Sequence, residues 1–121
     1  METINRIPTH CGDNTCAACV MAGNTIYLAH HAGGLDQEDI RHQMLACFTA
    51  MEQTLASVGA KLTDLVQINL YLRDLQDFPL AAEVFEEYLK DTPVARMTST
   101  TDFIETACLC QMEGVAFLAK E

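Results

Sequence analysis

The chain has 121 residues, 50% of them apolar and 20% charged, with 17 acidic against seven basic side chains and a formal net charge of −10. That balance suits one soluble globular domain over residues 1–121, and it opposes binding to a nucleic-acid backbone because the few basic residues do not cluster. No apolar run approaches the ~20 residues of a membrane helix and the start lacks a basic-then-apolar leader, so a cytoplasmic protein without membrane contact is expected.

In chain order, residues 1–15 carry Pro8, Gly12, Asp13 and Asn14 and offer only a short edge strand. Residues 16–21 are small and apolar and read as a buried strand. Gly23-Asn24 tolerates positive φ, so residues 25–29 read as the second arm of a hairpin. His30, His31, Ala32, Gly33 and Gly34 then read as a flexible loop. Asp36 is the expected N-cap of a first helix, with Glu38 and Asp39 in its first turn. Ile40, Met44, Cys47, Phe48, Met51, Leu55 and Val58 give that helix one apolar stripe, and Gly59 ends it.

Residues 64–73 alternate as a strand, with Val66, Ile68, Leu70 and Leu72 on an apolar face and Gln67, Asn69 and Tyr71 on an uncharged polar one. Asp77 caps a second helix with Pro79 in its first turn, and its apolar positions are Leu80, Ala81, Val84, Phe85, Tyr88 and Leu89. Residues 93–101 form a further strand that places Val94, Arg96, Thr98 and Thr100 on one face. Arg96 is its only charge. A guanidinium keeps its proton, so it must meet water, a carboxylate or a bound anion. A last strand over 108–118 has Gln111, Glu113, Val115 and Phe117 on one side. Its other side, with Cys108, Cys110, Met112, Gly114 and Ala116, packs tightly, and Glu113 is the nearest internal candidate to pair with Arg96.

Two helices over one face of a mixed sheet make an α+β sandwich. Nothing remains in the chain to cover the other face, so self-association is expected. The six cysteines are too few for a disulfide scaffold, and no metal is expected. Cys11, Cys16 and Cys19 with His10 make a poor zinc pattern, since Cys108 and Cys110 lie within an apolar strand.

Several segments in this order resemble the RidA/YjgF family of small homotrimeric enamine/imine deaminases. They are Gly23-Asn24-Thr25-Ile26-Tyr27, the helix around Gln43, Ala56-Ser57-Val58-Gly59-Ala60-Lys61-Leu62-Thr63-Asp64-Leu65-Val66, Leu72-Arg73-Asp74-Leu75-Gln76-Asp77-Phe78, Ala95-Arg96 and Met112-Glu113-Gly114-Val115-Ala116. The resemblance implies a mixed six-stranded sheet with two helices on one face, a homotrimer, and sites in clefts between subunits, with no cofactor. It implies that Arg96 holds the carboxylate of a 2-imino or 2-amino-enoic acid, framed by backbone near Thr98. The family's water-positioning glutamate falls on Gln111, which can hold water but not take its proton. The family's serine falls on Ala29, the next two positions on His30 and His31, and its early tyrosine on Cys16. Glu113 is a candidate displaced base, and a Cys16 facing Arg96 would have a lowered thiol pKa. Two function classes follow: hydrolysis of a small imine or enamine acid, or binding of a 2-oxo acid without turnover.

Overall fold

A computed structural model describes residues 3–119. Strands β1 (Ile4–Ile7), β2 (Cys19–Ala22), β3 (Thr25–His31), β4 (Leu65–Leu72), β5 (Ala95–Thr100) and β6 (Cys110–Phe117) form one sheet in the order β1-β2-β3-β6-β4-β5. All neighbours are antiparallel except β4 and β5. A parallel pair needs a crossover, and helix α2 (Phe78–Leu89) supplies it. Helix α1 (Ile40–Ala56) lies beside α2. The architecture is the expected α+β sandwich, a six-stranded mixed sheet with two helices on one face.

One apolar cluster joins Ile26, Leu28, Ile68, Leu70, Leu72, Met112 and Ala116 of the sheet to Met44, Cys47, Phe48, Met51, Leu55, Val84 and Phe85 of the helices. At its centre Phe48 stacks on Tyr88 with ring centroids 4.4 Å apart and meets Phe85 edge-on at 5.2 Å. Aromatic pairs of this kind add about 0.5–1.5 kcal/mol beyond the area they bury. The hairpin turn is as read: Gly23 takes φ +60° and Asn24 stays negative, the pattern of a two-residue type II′ turn.

The element boundaries correct four expectations. Helix α1 starts four residues after Asp36: Asp39 is the N-cap, accepting from the His42 N–H at 3.0 Å, while Asp36 reaches the His42 ring at 3.2 Å. Strand β2 begins at Cys19, so Cys16 lies outside it, in a turn closed by the Cys16 N–H on Asp13 O at 2.9 Å. The other two corrections are β-bulges. Between Leu28 and His31, β3 carries one residue more than β6, which carries the strand through the supposed loop and turns His31 inward. Between Leu65 and Gln67, β4 does the same, and Val66 comes out 50% exposed instead of joining Ile68 and Leu70 in the core.

The sheet face away from the helices is uncovered in the protomer. It presents Tyr27, Gln67, Asn69, Tyr71, Met97, Gln111, Glu113, Val115 and Phe117, with Tyr27, Met97 and Phe117 each about half exposed or more. On this face of strands β3 to β6, among the described residues, Glu113 is the one charged side chain. No helix of the described residues is long and apolar enough to cross a membrane.

Candidate functional site

Arg96 sits on the edge strand β5 and is paired in register with Ile68, so its side chain falls on the helix side of the sheet. The guanidinium carbon lies 4.6 Å from the Phe85 ring centroid and 5.6 Å from that of Phe78, both on α2. Stacking on an aromatic face occupies the flat side of the guanidinium and leaves its in-plane N–H donors free. Among the described residues none of those donors meets a carboxylate or carbonyl; the ion pairs found are Arg41–Glu87, His42–Asp36 and Arg73–Asp102.

Two hollows flank this cation. A groove of about 540 Å³ is lined by Phe85, Glu86, Leu89, Lys90, Val94 and Arg96 among others. A second, of about 480 Å³, runs along Leu72, Leu75, Phe78 and Thr98 to Thr100. Arg96 and Thr98 share a face of β5, so one is placed at each hollow. In a chain of net charge −10, Arg96 and Lys90 against Glu86 make the groove locally cationic. A small anion with an apolar tail fits that chemistry.

Gln111 and Glu113 lie elsewhere in the protomer. They are on β6, opposite Tyr71 and Asn69, on the uncovered face. Glu113 Oε2 accepts from the Tyr71 hydroxyl at 2.8 Å and from Asn69 Nδ2 at 3.1 Å. The same hydrogen bond holds the Tyr71 phenol above its ordinary pKa, since the donor proton is kept by the carboxylate, and burial adds to this. The expectation that Glu113 is the internal partner of Arg96 fails for a topological reason. The two side chains leave opposite faces of the sheet, with β4 between their strands.

Ala29 lies within the β3 bulge, and its carbonyl accepts from His31 Nδ1 at 2.7 Å. A carbonyl can only accept, so Nδ1 carries the proton and the neutral ring must accept from the Thr54 hydroxyl at Nε2, 2.8 Å away. His31 is 1% exposed, and its pKa is pushed down to about 4, chiefly by burial. His10 stacks on it with centroids 4.4 Å apart, and His10 Nε2 donates to the His30 carbonyl at 2.6 Å. His30 itself is exposed. The thiol of Cys16 is raised, first by desolvation and then by Cys11, and no influence of Arg96 reaches it. The lowered pKa expected of a Cys16 beside Arg96 is therefore not found within one protomer.

Gln43 carries a role that sequence patterning does not assign. It is fully buried on α1, and its amide donates to Gln37 O and Ala107 O at 2.9 Å while accepting from the Leu109 N–H at 2.8 Å. It fixes the segment that enters β6 just before Gln111. Its signal was a polar residue between Ile40 and Met44 on the apolar stripe. No cluster of three or more His, Cys, Asp or Glu among the described residues is arranged to hold a metal.

A sequence model of the family described as Endoribonuclease L-PSP matches residues 15–116. A RutC family protein of Pyrococcus abyssi is 29% identical over 104 residues, covering 81% of this chain and 82% of its own. A 2-iminobutanoate/2-iminopropanoate deaminase of Dermatophagoides farinae is 32% identical over 85 residues, 65% of this chain and 66% of its own. Among solved structures, a member of the yjgF family from Streptococcus pyogenes superposes with TM-score 0.86 at 30% identity, covering 97% of this chain and 98% of that one. A YjgF protein from Neisseria meningitidis reaches TM-score 0.89 at 17% identity over 98% of each chain, a likeness of fold.

Proposed function

We propose, from the premise that this chain belongs to the RidA/YjgF family, that it forms homotrimers whose clefts bind a small carboxylate and hydrolyse 2-imino or enamine acids to 2-oxo acids and ammonia. The observation that carries this reading is Arg96: a cation on an edge strand, beside a groove of about 540 Å³, with no anionic partner among the described residues. In this reading Arg96 grips the substrate carboxylate through paired N–H donors, and the backbone at Thr98 frames it. The second wall comes from a neighbour's uncovered face, where Gln111 positions water and Ala29, His30 and Cys16 line the approach. Glu113, already holding two donors, keeps that wall in shape. His31 supports the end of β3 from beneath. An imine carbon is intrinsically electrophilic, so orientation and a positioned water suffice without a strong base.

A second reading is favoured by two residues, the amide of Gln111 and the methyl of Ala29, where the family resemblance implies a carboxylate and a hydroxyl. It is a metabolite-binding protein using the same cleft for a 2-oxo acid without turnover. Purified protein is added to freshly generated 2-aminoacrylate and 2-oxo acid release is followed. Arg96→Ala is expected to lower kcat/KM about a hundredfold, the worth of a charge-assisted pair of roughly 3 kcal/mol. Gln111→Glu is expected to raise it. Release at the buffer rate by both wild type and Gln111→Glu, with a 2-oxo acid still bound, selects the second reading. Loss of neither binding nor turnover in Arg96→Ala refutes both.

A further inference from the structure

The connection from β5 to β6, residues 101–109, has no regular structure of its own, and Ile104, Glu105 and Thr106 at its middle are exposed. Such a segment keeps its shape through what it is bonded to. Arg73, directly after β4, supplies much of that bonding. Its Nε donates to the Cys108 carbonyl at 2.9 Å, and one terminal nitrogen donates to the Glu105 carbonyl at 3.0 Å. The other terminal nitrogen reaches the Asp102 carboxylate at 3.3 Å, and the guanidinium carbon lies 5.3 Å from the Phe103 ring centroid. Backbone bonds tie both ends of the connection to the same place. The Thr101 N–H donates to Leu72 O and the Arg73 N–H to Leu109 O, each at 3.0 Å.

This clamp depends on shape more than on charge. The Asp102 side chain is 97% exposed, so its ion pair contributes little. Arg73 is only 28% exposed, and the bonds to the Glu105 and Cys108 carbonyls are the ones that order the chain. A guanidinium can serve acceptors spread from Asp102 to Cys108 because its donors are fixed in one plane. The single nitrogen of a lysine cannot.

We propose, resting on the reading that Gln111 holds the attacking water, that Arg73 is a positioning residue of the cleft and acts through Gln111. On the β4–β6 ladder Gln111 faces Tyr71 and Cys110 faces Leu72, so the Arg73–Leu109 bond closes the end of that ladder. Strand ends open first, and Gln111 is close to this one. With the guanidinium in place the end stays closed and the amide keeps its register; without it β6 frays as far as Gln111. Arg96 is paired with Ile68, near the other end of the β4–β5 ladder from Thr100, and is untouched. Turnover suffers while the carboxylate anchor does not.

The test measures kcat and KM of the full-length protein on freshly generated 2-aminoacrylate, and the Kd of pyruvate by calorimetry. Arg73→Met is expected to lower kcat about tenfold with KM and the pyruvate Kd within about twofold of wild type. Gln43 still holds Ala107 and Leu109 in this variant and supports its fold. Arg73→Lys keeps the charge without the planar donors and is expected to lose nearly as much; it carries the comparison should Arg73→Met fail to fold. Gln111→Ala keeps the Arg96 anchor and a residual rate, and adding Arg73→Met to it is expected to cost nothing further. Amide exchange in Arg73→Met is expected to quicken over residues 101–111 and not over 95–100. An equal further loss in the Gln111→Ala background marks a merely structural residue and overturns the proposal. So do full turnover by Arg73→Lys, weakened pyruvate binding in step with kcat, or exchange that quickens in both strands. Wild type at the buffer rate removes the reading of Gln111 and this proposal with it, whereas active wild type beside an equally active Arg73→Met removes this proposal alone.

Discussion

His31 offers the sharpest test of the fold's energetics. Its ring is neutral in the native state, with a pKa pushed down to about 4 by burial and by the neighbouring His10 and His30 rings, against 6.5 for a free histidine. The Thr54 hydroxyl can turn and accept from a protonated Nε2, so hydrogen bonding does not forbid the charge; desolvation does. The unfolded chain takes up this proton as pH falls below 6.5, and the native chain does not until about 4. Stability is therefore complete above 6.5 and is lost as pH falls towards 4. That gap amounts to about 3 kcal/mol at roughly 1.4 kcal/mol per pH unit. Urea unfolding at a fixed protein concentration, from pH 7.5 to pH 4, reads it. His31→Gln has no titrating ring, so its deficit relative to wild type is expected to shrink by about that amount over the window. Other groups cancel in the difference, including Asp77, whose carboxyl burial raises and which works in the opposite sense. A deficit that stays constant with pH refutes the reasoning.

Two further substitutions test the supports of the site. Gln43→Leu strands two carbonyls and one N–H and is expected to cost about 2–5 kcal/mol, read as a lowered denaturation midpoint with unchanged m-value; a loss under about 0.5 kcal/mol would show that water replaces the amide. Gly114→Ala places a Cβ 2.5 Å from the Gln67 carbonyl, beside the β4 bulge, and is expected to cost about 3 kcal/mol or more; unchanged thermal stability would mean that the two strands separate freely there.

Regular periodicity was legible, and departures from it were not. The apolar stripe of α1, the alternation of β6 and the Gly23-Asn24 turn each follow from side-chain spacing and reappear in the structure. One bulge displaces Val66 from the face that its alternation predicts, and another extends β3 through His31, which reads in the sequence as part of a glycine-containing loop. A bulge adds a residue to a strand, and every later side chain changes face, which no alternation count can anticipate. Asp36, Glu38 and Asp39 are all acceptable near a helix start, so residue type alone does not single out Asp39, which makes the cap. The faces of β5 were read correctly from alternation. Which of them met the helices depended on the parallel register with Ile68.

That register has a consequence for the candidate site. Arg96 and Gln111 are separated by β4, two strand spacings or roughly 10 Å, and their side chains point to opposite sides of the sheet. A ligand of a few atoms cannot touch both within one protomer. Arg96 is nevertheless on the outermost strand, where a helix-side residue can meet a surface brought from outside. The uncovered face of another copy is suited to be that surface, since it is apolar or uncharged except at Glu113 on strands β3 to β6 of the described residues. Burying a carboxylate there is made tolerable by the Tyr71 and Asn69 donors already in place. The proposed catalysis therefore depends on assembly. Mixing Arg96→Ala protomers with Gln111→Ala protomers is expected to restore turnover in the fraction of clefts that join the two intact walls. A mixture no more active than its parents would place both residues' roles within single protomers, and the proposed cleft would be wrong.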